Sequence, residues 1–384
     1  MSRRAAVVVL DACGIGALPD AEAYGDAGAH TLAHVAARVG GLDLPHLQRL
    51  GLGSIDAIPG VAPAEHPVLH GKLHPLGPGK ESATGHWELM GAVPRRPLPA
   101  YPDGFPEDVV AALEHATGRR FCCNAPANGL HVLEEWGPHH LRTGELILYT
   151  SVDSVLQVAG HHHVLGEDEL RDVCRAAREV MTGEHAVGRV IARPFIGSPG
   201  AFERTAGRKD LAVAPPGPTA LEALTHAGVP VHGVGKVPDL FAGRGIGQAH
   251  PGATNSVALQ STTELLRGLD HGLVFTNLVE TDQVHGHRKD VEGFHGALRE
   301  IDAAVGVWLD LLGPDDLLVL TADHGCDPDM AHSDHTREHA PLLAVFPGHG
   351  GRRHDGPLAD VGQSVLHWLT GAPGPDLPGT SFVG

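Results

Sequence analysis

Short, uniformly apolar runs recur along the chain, and several of them end directly on residue types that bind metals. The first is Ala5-Ala6-Val7-Val8-Val9-Leu10. Comparable runs lie at Val229–Val234, Leu273–Leu278, Asp316–Thr321 and Leu342–Phe346. Continuous apolar stretches of this length, rich in β-branched residues, predict strands buried on both faces of a parallel sheet. Between them, Thr219–Ala227, Val291–Leu312 and Leu358–Leu369 carry helical periodicity. Strand and helix in alternation predict an α/β fold, with a mainly parallel sheet flanked by helices.

The middle of the chain breaks this rhythm. Pro- and Gly-rich stretches precede a strand at Glu145–Thr150, a helix at Glu167–Met181 and a strand at Arg189–Phe195. The run Ala214-Pro215-Pro216-Gly217-Pro218 reads as a linker. The expected organisation is a core domain made of residues 1–97 and 214–384, with residues 98–213 inserted as a smaller α/β (α+β) unit.

Composition narrows the partners. A net charge of −18 spread along 384 residues argues against nucleic acid and anionic membranes. A phosphorylated small substrate stays open, because bound cations reverse the local field. The five cysteines include no C-x-x-C pair, and the first apolar run stops at Asp11 after six residues. These features predict reduced thiols, no membrane span and a cytoplasmic location. With 29 histidines in the chain, histidine alone says little, so spacing and neighbours have to decide.

Leu10 is followed by Asp11. The run ending at Leu278 is followed by Glu280, Asp282 and His287. Thr321 is followed two residues on by Asp323-His324, and Asp334-His335 lie in the next loop. In open α/β sheets, sites form at the carboxyl ends of strands, so these distant residues should converge. Three carboxylates and three imidazoles (Asp11, Asp282, Asp323, His287, His324, His335) suit manganese or zinc better than calcium. Six ligands suffice for two ions, which can clamp a phosphoryl group in displacement. His332 and His339 compete with His335 on spacing, and Glu280 lies beside Asp282 as a supporting group.

A second segment, Lys80-Glu81-Ser82-Ala83-Thr84-Gly85-His86-Trp87-Glu88, crowds hydroxyls, a glycine, a histidine and carboxylates together. A hydroxyl placed on a cation becomes a nucleophile. Thr84 is the first candidate and Ser82 its competitor. Gly14-Ile15-Gly16 follows a strand, but Pro19 stands where a dinucleotide fingerprint needs its third glycine.

Nearly the whole chain resembles the phosphopentomutases of the alkaline phosphatase superfamily. The resemblance rests on Val9–Gly16, Thr84-Gly85-His86-Trp87-Glu88, Tyr149–Gln157, Arg193-Pro194-Phe195, Gly286-His287-Arg288, Thr321–Gly325 and Asp334–Glu338. Glu81-Ser82 stands where that family usually has Asp-Thr, and Glu280 where it has Asp. The resemblance implies an alkaline-phosphatase-like core with two manganese ions and an inserted cap domain. One ion would take Asp11, Asp323 and His324, the other Asp282, His287 and His335. Thr84 would carry the phosphoryl group between them. The implied substrates are the 1- and 5-phosphates of ribose and deoxyribose, with a sugar bisphosphate as intermediate and activator. Asp153, Arg193, Arg208 and Lys236 would bind substrate, and cap closure would exclude water. A phosphatase or phosphodiesterase on the same metal core is the alternative.

Overall fold

The computed structural model describes residues 3–151, 154–348 and 350–384. The chain divides into two compact units, Met1–Arg96 with Pro215–Gly384, and Pro97–Ala214.

Among the described residues, the first unit holds an eight-stranded sheet. Its order is Gln248–His250, Val231–Val234, Gly272–Leu278, Arg4–Leu10, Asp316–Thr321, Ala340–Val345, Leu69–His74 and Gly356–Pro357. The first five strands are parallel, and Ala340–Val345 runs antiparallel to both of its neighbours. The central strands are buried along almost their whole length, as their unbroken apolar runs require. Val7, Val8 and Val9 are fully buried. Each contributes roughly 1.5–3 kcal/mol through its lost contact with water.

The helix Asp360–Thr370 packs on the Arg4–Leu10 and Asp316–Thr321 strands. The helix Asn255–Gly268 packs on Gly272–Leu278 and against the long helix Val291–Leu311. Helix starts follow local chemistry. Thr219 and Glu222 form a reciprocal capping box, and Thr254 and Asp290 each accept a backbone N–H from the first turn.

Strand register positions the site. Leu10 pairs with Leu278, and Val9 pairs with Thr321. The residues that follow these three strands therefore emerge at one sheet edge. At the opposite end, Arg4 grips Asp316 with its guanidinium, one of the two bonds measuring 2.8 Å. Thr321 also pairs with Leu342. The chain between Ala322 and His339 is thus a single excursion that leaves and rejoins the sheet at the site edge.

Among the described residues, the second unit holds a six-stranded mixed sheet. Its order is Phe121–Pro126, Leu146–Thr150, Val155–His161, Arg189–Ser198 and Ala201–Arg204, with Lys209–Ala212 also on Arg189–Ser198. One core joins Leu146, Leu148, Leu156 and Val158 to Leu170, Val173 and Ala177 of the helix Glu167–Val180. A second core joins Ile147, Tyr149 and Phe195 to Val132 and Leu133 of the helix His131–Thr143. None of the helices among the described residues is long and apolar enough to cross a membrane.

Candidate metal centre

The shared sheet edge gathers the six candidate ligands into two groups of three. Asp11, Asp323 and His324 are buried, and their ligand atoms lie within 4.8 Å of one another. His324 Nε2 is 3.4 Å from Asp11 Oδ1 and 3.4 Å from Asp323 Oδ2. The second group is Asp282, His287 and His335. Both imidazole Nε2 atoms approach Asp282 Oδ1 to 3.3 Å and lie 3.2 Å from each other. The groups adjoin: the His324 and His335 rings stack at 3.9 Å.

Local backbone explains each placement. Ala12 adopts φ 61°, an uncommon left-handed conformation, and its N–H donates to Asp323 Oδ1 at 3.2 Å. Asn277 donates to Asp11 Oδ2 at 2.8 Å, which leaves Oδ1 facing His324. After the Gly272–Leu278 strand the chain makes one π-helical turn, Thr281–His285. Such a turn closes on the fifth residue, so Asp282 and His287 come to one side. Gly325 and Thr336 exchange backbone hydrogen bonds across the excursion, at 3.2 and 2.8 Å, and bring His335 back beside His324.

The imidazoles are oriented alike. His324 Nδ1 faces the Gly325 carbonyl at 3.0 Å, His287 Nδ1 the Ser333 carbonyl at 2.7 Å, and His335 Nδ1 the Lys80 carbonyl at 3.0 Å. A carbonyl only accepts, so each Nδ1 carries the hydrogen and each Nε2 points a lone pair inward. Two lone pairs 3.2 Å apart at His287 and His335 repel unless a cation or a proton lies between them. Asp282 Oδ1 and Asp323 Oδ2 are buried without a hydrogen bond of good geometry among the described residues. Orphaned buried carboxylate oxygens beside inward imidazole lone pairs fit divalent cations.

The electrostatics agree. Burial, then the charges of Asp323 and Asp282, push Asp11 well above the usual carboxylate range. Burial acts the same way on Asp323, but His324 prevails and holds it down to about 2. It acts so on Asp282 too, but His287 and His335 hold that group well below its usual value. Burial lowers His324, yet Asp323, Asp11 and Asp282 together raise it to about 9. His287 rises to about 9, chiefly through Asp282. With no cation, the carboxylates draw protons onto the inward Nε2 atoms of His324 and His287. A divalent cation supplies the same positive charge and uses the lone pairs directly.

Residues 3–372 match the Metalloenzyme superfamily. Phosphopentomutase of Anaeromyxobacter sp. strain K is 50% identical over 377 residues, 96% of each chain. That of Acetivibrio thermocellus is 43% identical over 386 residues, 100% of this chain and 99% of that one. The chain belongs to the phosphopentomutase family. It is therefore a mutase, an isomerase-type phosphotransferase. A phosphoglycerate mutase from Leishmania mexicana shares the fold, with a TM-score of 0.50 at 12% identity over 99% of this chain and 97% of that one.

In this phosphopentomutase homologue, the helix Ser82–Leu89 places the two candidate hydroxyls differently. Thr84 is buried, and its hydroxyl donates to Glu81, at 2.9 Å to the carbonyl and 3.1 Å to Oε2. It makes no hydrogen bond to the candidate metal ligands among the described residues. Ser82 does: its Oγ is 2.9 Å from His324 Nε2 and 3.5 Å from Asp11 Oδ1. The reason is helical phase. Residues two apart lie about 200° apart around the axis, so only one of the two hydroxyls can face the sheet edge. Ser82 is also the first residue of the helix, where unpaired backbone N–H groups attract anions.

The rest of the motif holds this helix in place. A Cβ on Gly85 would lie 2.5 Å from the Asp323 carbonyl oxygen, so only glycine permits the approach. His86 Nδ1 lies 2.8 Å from the Ser82 carbonyl and 3.1 Å from Asp323 Oδ2, linking Ser82 to Asp323. Trp87 Nε1 donates to the Leu240 carbonyl at 2.7 Å. Glu88 accepts from the backbone N–H groups of Leu76 and, at 3.0 Å, Gly77.

Competing residues fall elsewhere. Glu280 exchanges hydrogen bonds with Asn255, at 2.8 and 3.1 Å, and so ties the loop to a helix start. His332 bonds Asp26 at 2.9 Å, and His339 lies in neither group. Gly14 and Gly325 crowd the buried Glu338 carboxylate, which also accepts from Gly16 N at 3.1 Å and Thr31 N at 2.9 Å. The glycine pair at 14 and 16 thus serves internal packing.

Asp26 carries no sequence signal, yet it supports the centre. Its fully buried carboxylate accepts from Lys80 Nζ at 3.1 Å and Arg337 N at 2.8 Å, besides its bond to His332. Lys80 in turn presents the carbonyl that orients His335.

Lys236 follows the Val231–Val234 strand at the same sheet edge, and its ammonium has no hydrogen bond or ion pair among the described residues. In the second unit, Arg193 donates to Gln157 Oε1 at 3.0 Å. Burial, with Arg208 and Arg204 nearby, lowers its pKa despite the pull of Tyr149. Arg208 is engaged by Asp210 through two bonds of 2.6 Å. Asp153 lies outside the described residues.

Proposed function

We propose that the enzyme interconverts the 1- and 5-phosphates of ribose and of 2-deoxyribose, with Ser82 as the residue that carries the phosphoryl group. The observation that supports Ser82 is its hydroxyl, 2.9 Å from His324 Nε2 at the head of a helix locked onto Asp323. Asp11, Asp323 and His324 would hold one divalent cation, and Asp282, His287 and His335 a second, with manganese our choice. Bound there, the cations would stabilise the Ser82 alkoxide and neutralise the charge on the phosphoryl oxygens.

Phosphorylated Ser82 gives its phosphoryl group to the free hydroxyl of the sugar monophosphate. The new P–O bond makes a sugar bisphosphate, and Ser82 recovers its oxygen. The bisphosphate turns around, and the Ser82 oxygen attacks its other phosphorus. The isomeric monophosphate leaves, having taken up the proton that the first hydroxyl released. The free N–H groups of the first helical turn receive the charge that builds on the phosphoryl oxygens. His86 holds the Ser82 carbonyl, so the helix head stays fixed through both transfers. Our candidates for substrate contacts are Arg193 and Arg208 for the phosphate that does not react, Asp153 for sugar hydroxyls, and Lys236. A sugar bisphosphate primes the unphosphorylated enzyme. We place this chemistry in the cytoplasm.

The test is formation of ribose 5-phosphate from ribose 1-phosphate, with manganese and a catalytic amount of ribose 1,5-bisphosphate. Steady release of inorganic phosphate without isomerisation would instead assign a hydrolase.

A further inference from the structure

The inserted unit holds a third group of potential metal-ligand side chains, which shares no residue with the two groups in the core. Cys122, His139 and Glu145 place a thiol sulfur, an imidazole nitrogen and a carboxylate oxygen within 4.8 Å of one another. They come from three elements: the strand Phe121–Pro126, the last turns of the helix His131–Thr143, and the turn leading into the strand Leu146–Thr150. The two strands are parallel neighbours, with Phe121 opposite Leu146, so Cys122 and Glu145 are brought together by register.

We propose that Cys122, His139 and Glu145 form a zinc site in the inserted unit. The donor set is that of an open zinc centre, three protein ligands with water in the fourth position. The soft thiolate selects zinc over manganese or magnesium, so this site takes a different metal from the oxygen-rich centre in the core. Tetrahedral zinc with bonds near 2.0–2.3 Å needs ligand atoms roughly 3.3–3.6 Å apart. His139 Nε2 and Glu145 Oε2 stand at 2.7 Å. Both side chains are about one-third exposed, 34% and 30%, and are free to open by that margin. Cys122 is buried, and its sulfur lies 3.8 and 3.5 Å from the carbonyls of Glu145 and Leu146. On binding, the Cys122 proton leaves to solvent and a zinc–sulfur bond forms.

The surroundings hold the ligands in place. The Glu145 carbonyl accepts from His140 Nδ1 at 2.6 Å, and Glu145 N donates to Thr143 Oγ1 at 3.2 Å, so this turn is pinned on both sides. Trp136 meets the His139 ring edge-on at 5.8 Å. Supporting groups of this kind set ligand orientation and affinity. A metal here staples the helix His131–Thr143 to the start of the parallel strand pair.

Cobalt(II), a spectroscopic substitute for zinc, tests the site in the full-length protein already saturated with manganese. The expected result is a thiolate-to-cobalt charge-transfer band that saturates at one equivalent and disappears when zinc is added. Cys122→Ser should abolish the band. His139→Ala, at a side chain about one-third exposed, should weaken binding by more than the roughly 10–100-fold typical of losing a supporting group. Asp282→Ala, in the core, should leave the band intact. Absence of the band, its survival in Cys122→Ser, or unchanged affinity in His139→Ala would overturn the proposal.

Discussion

Gly85→Ala isolates the coupling between the helix that carries Ser82 and the candidate metal ligand Asp323. The added methyl would lie 2.5 Å from the Asp323 carbonyl oxygen and 2.8 Å from the Asp323 Cβ. Ordinary contact begins near 3.4 Å, so helix and loop must separate by about 0.9 Å. Backbone atoms on the excursion cannot rotate away as a long side chain could. Ser82 rides on the same helix, and a shift of that size takes its hydroxyl from 2.9 Å to beyond hydrogen-bond range of His324. Overpacking of this kind costs about 1–3 kcal/mol of stability. Misplacement of a reacting group by about 1 Å costs on the order of 100-fold in rate. The variant should therefore fold, melt several degrees lower and turn over roughly 100-fold more slowly at saturating substrate and manganese. Turnover and melting temperature measured on the same sample separate the two effects. A variant with wild-type turnover would refute the close approach as the reason for Gly85.

Three further outcomes follow from the centre's electrostatics and supports. In the metal-free enzyme, His324 and His287 are raised to about 9, above the usual value near 6.5. Their stabilisation is complete below about pH 6.5 and is lost as pH rises through 9, so thermal melts in chelator should fall across that window while the manganese-loaded protein stays level. The same protons compete with metal, so manganese affinity measured by calorimetry should increase over that range. Asp26→Asn removes the charge that Lys80 and the His335 loop share. Manganese at the Asp282, His287 and His335 group should bind about 10–100-fold more weakly, with the other group nearly unchanged, in a two-site titration.

The sequence was most legible where one residue type served one purpose. The runs at 5–10, 273–278 and 316–321 form the central strands, because burial on both faces demands uninterrupted apolar residues. The strand Leu69–His74 escaped notice. It alternates His70, Lys72 and His74 with apolar or small residues toward one side of the sheet, and its register comes from Ala340–Val345. The helix Asn255–Gly268 is rich in Ser and Thr. Its buried Thr262 is satisfied by Thr276 at 2.8 Å and by its own helix, a pairing that only the fold creates. The six candidate ligands could be named because they follow strand ends. Their grouping depends on strand register and on the π turn that brings Asp282 and His287 together. Ser82 and Thr84 offer the same chemistry in the sequence, and only helical phase distinguishes them. Asp26 gave no signal at all, since its role depends on three partners from distant parts of the chain.

The most direct test is the site of phosphorylation. The enzyme is incubated with manganese and ribose 1,5-bisphosphate, quenched, and digested, and the peptide spanning residues 80–89 is sequenced by mass spectrometry. Phosphate is expected on Ser82, absent from Ser82→Ala and retained on Ser82 in Thr84→Ala. Phosphate on Thr84, or a fully active Ser82→Ala enzyme, would contradict the account.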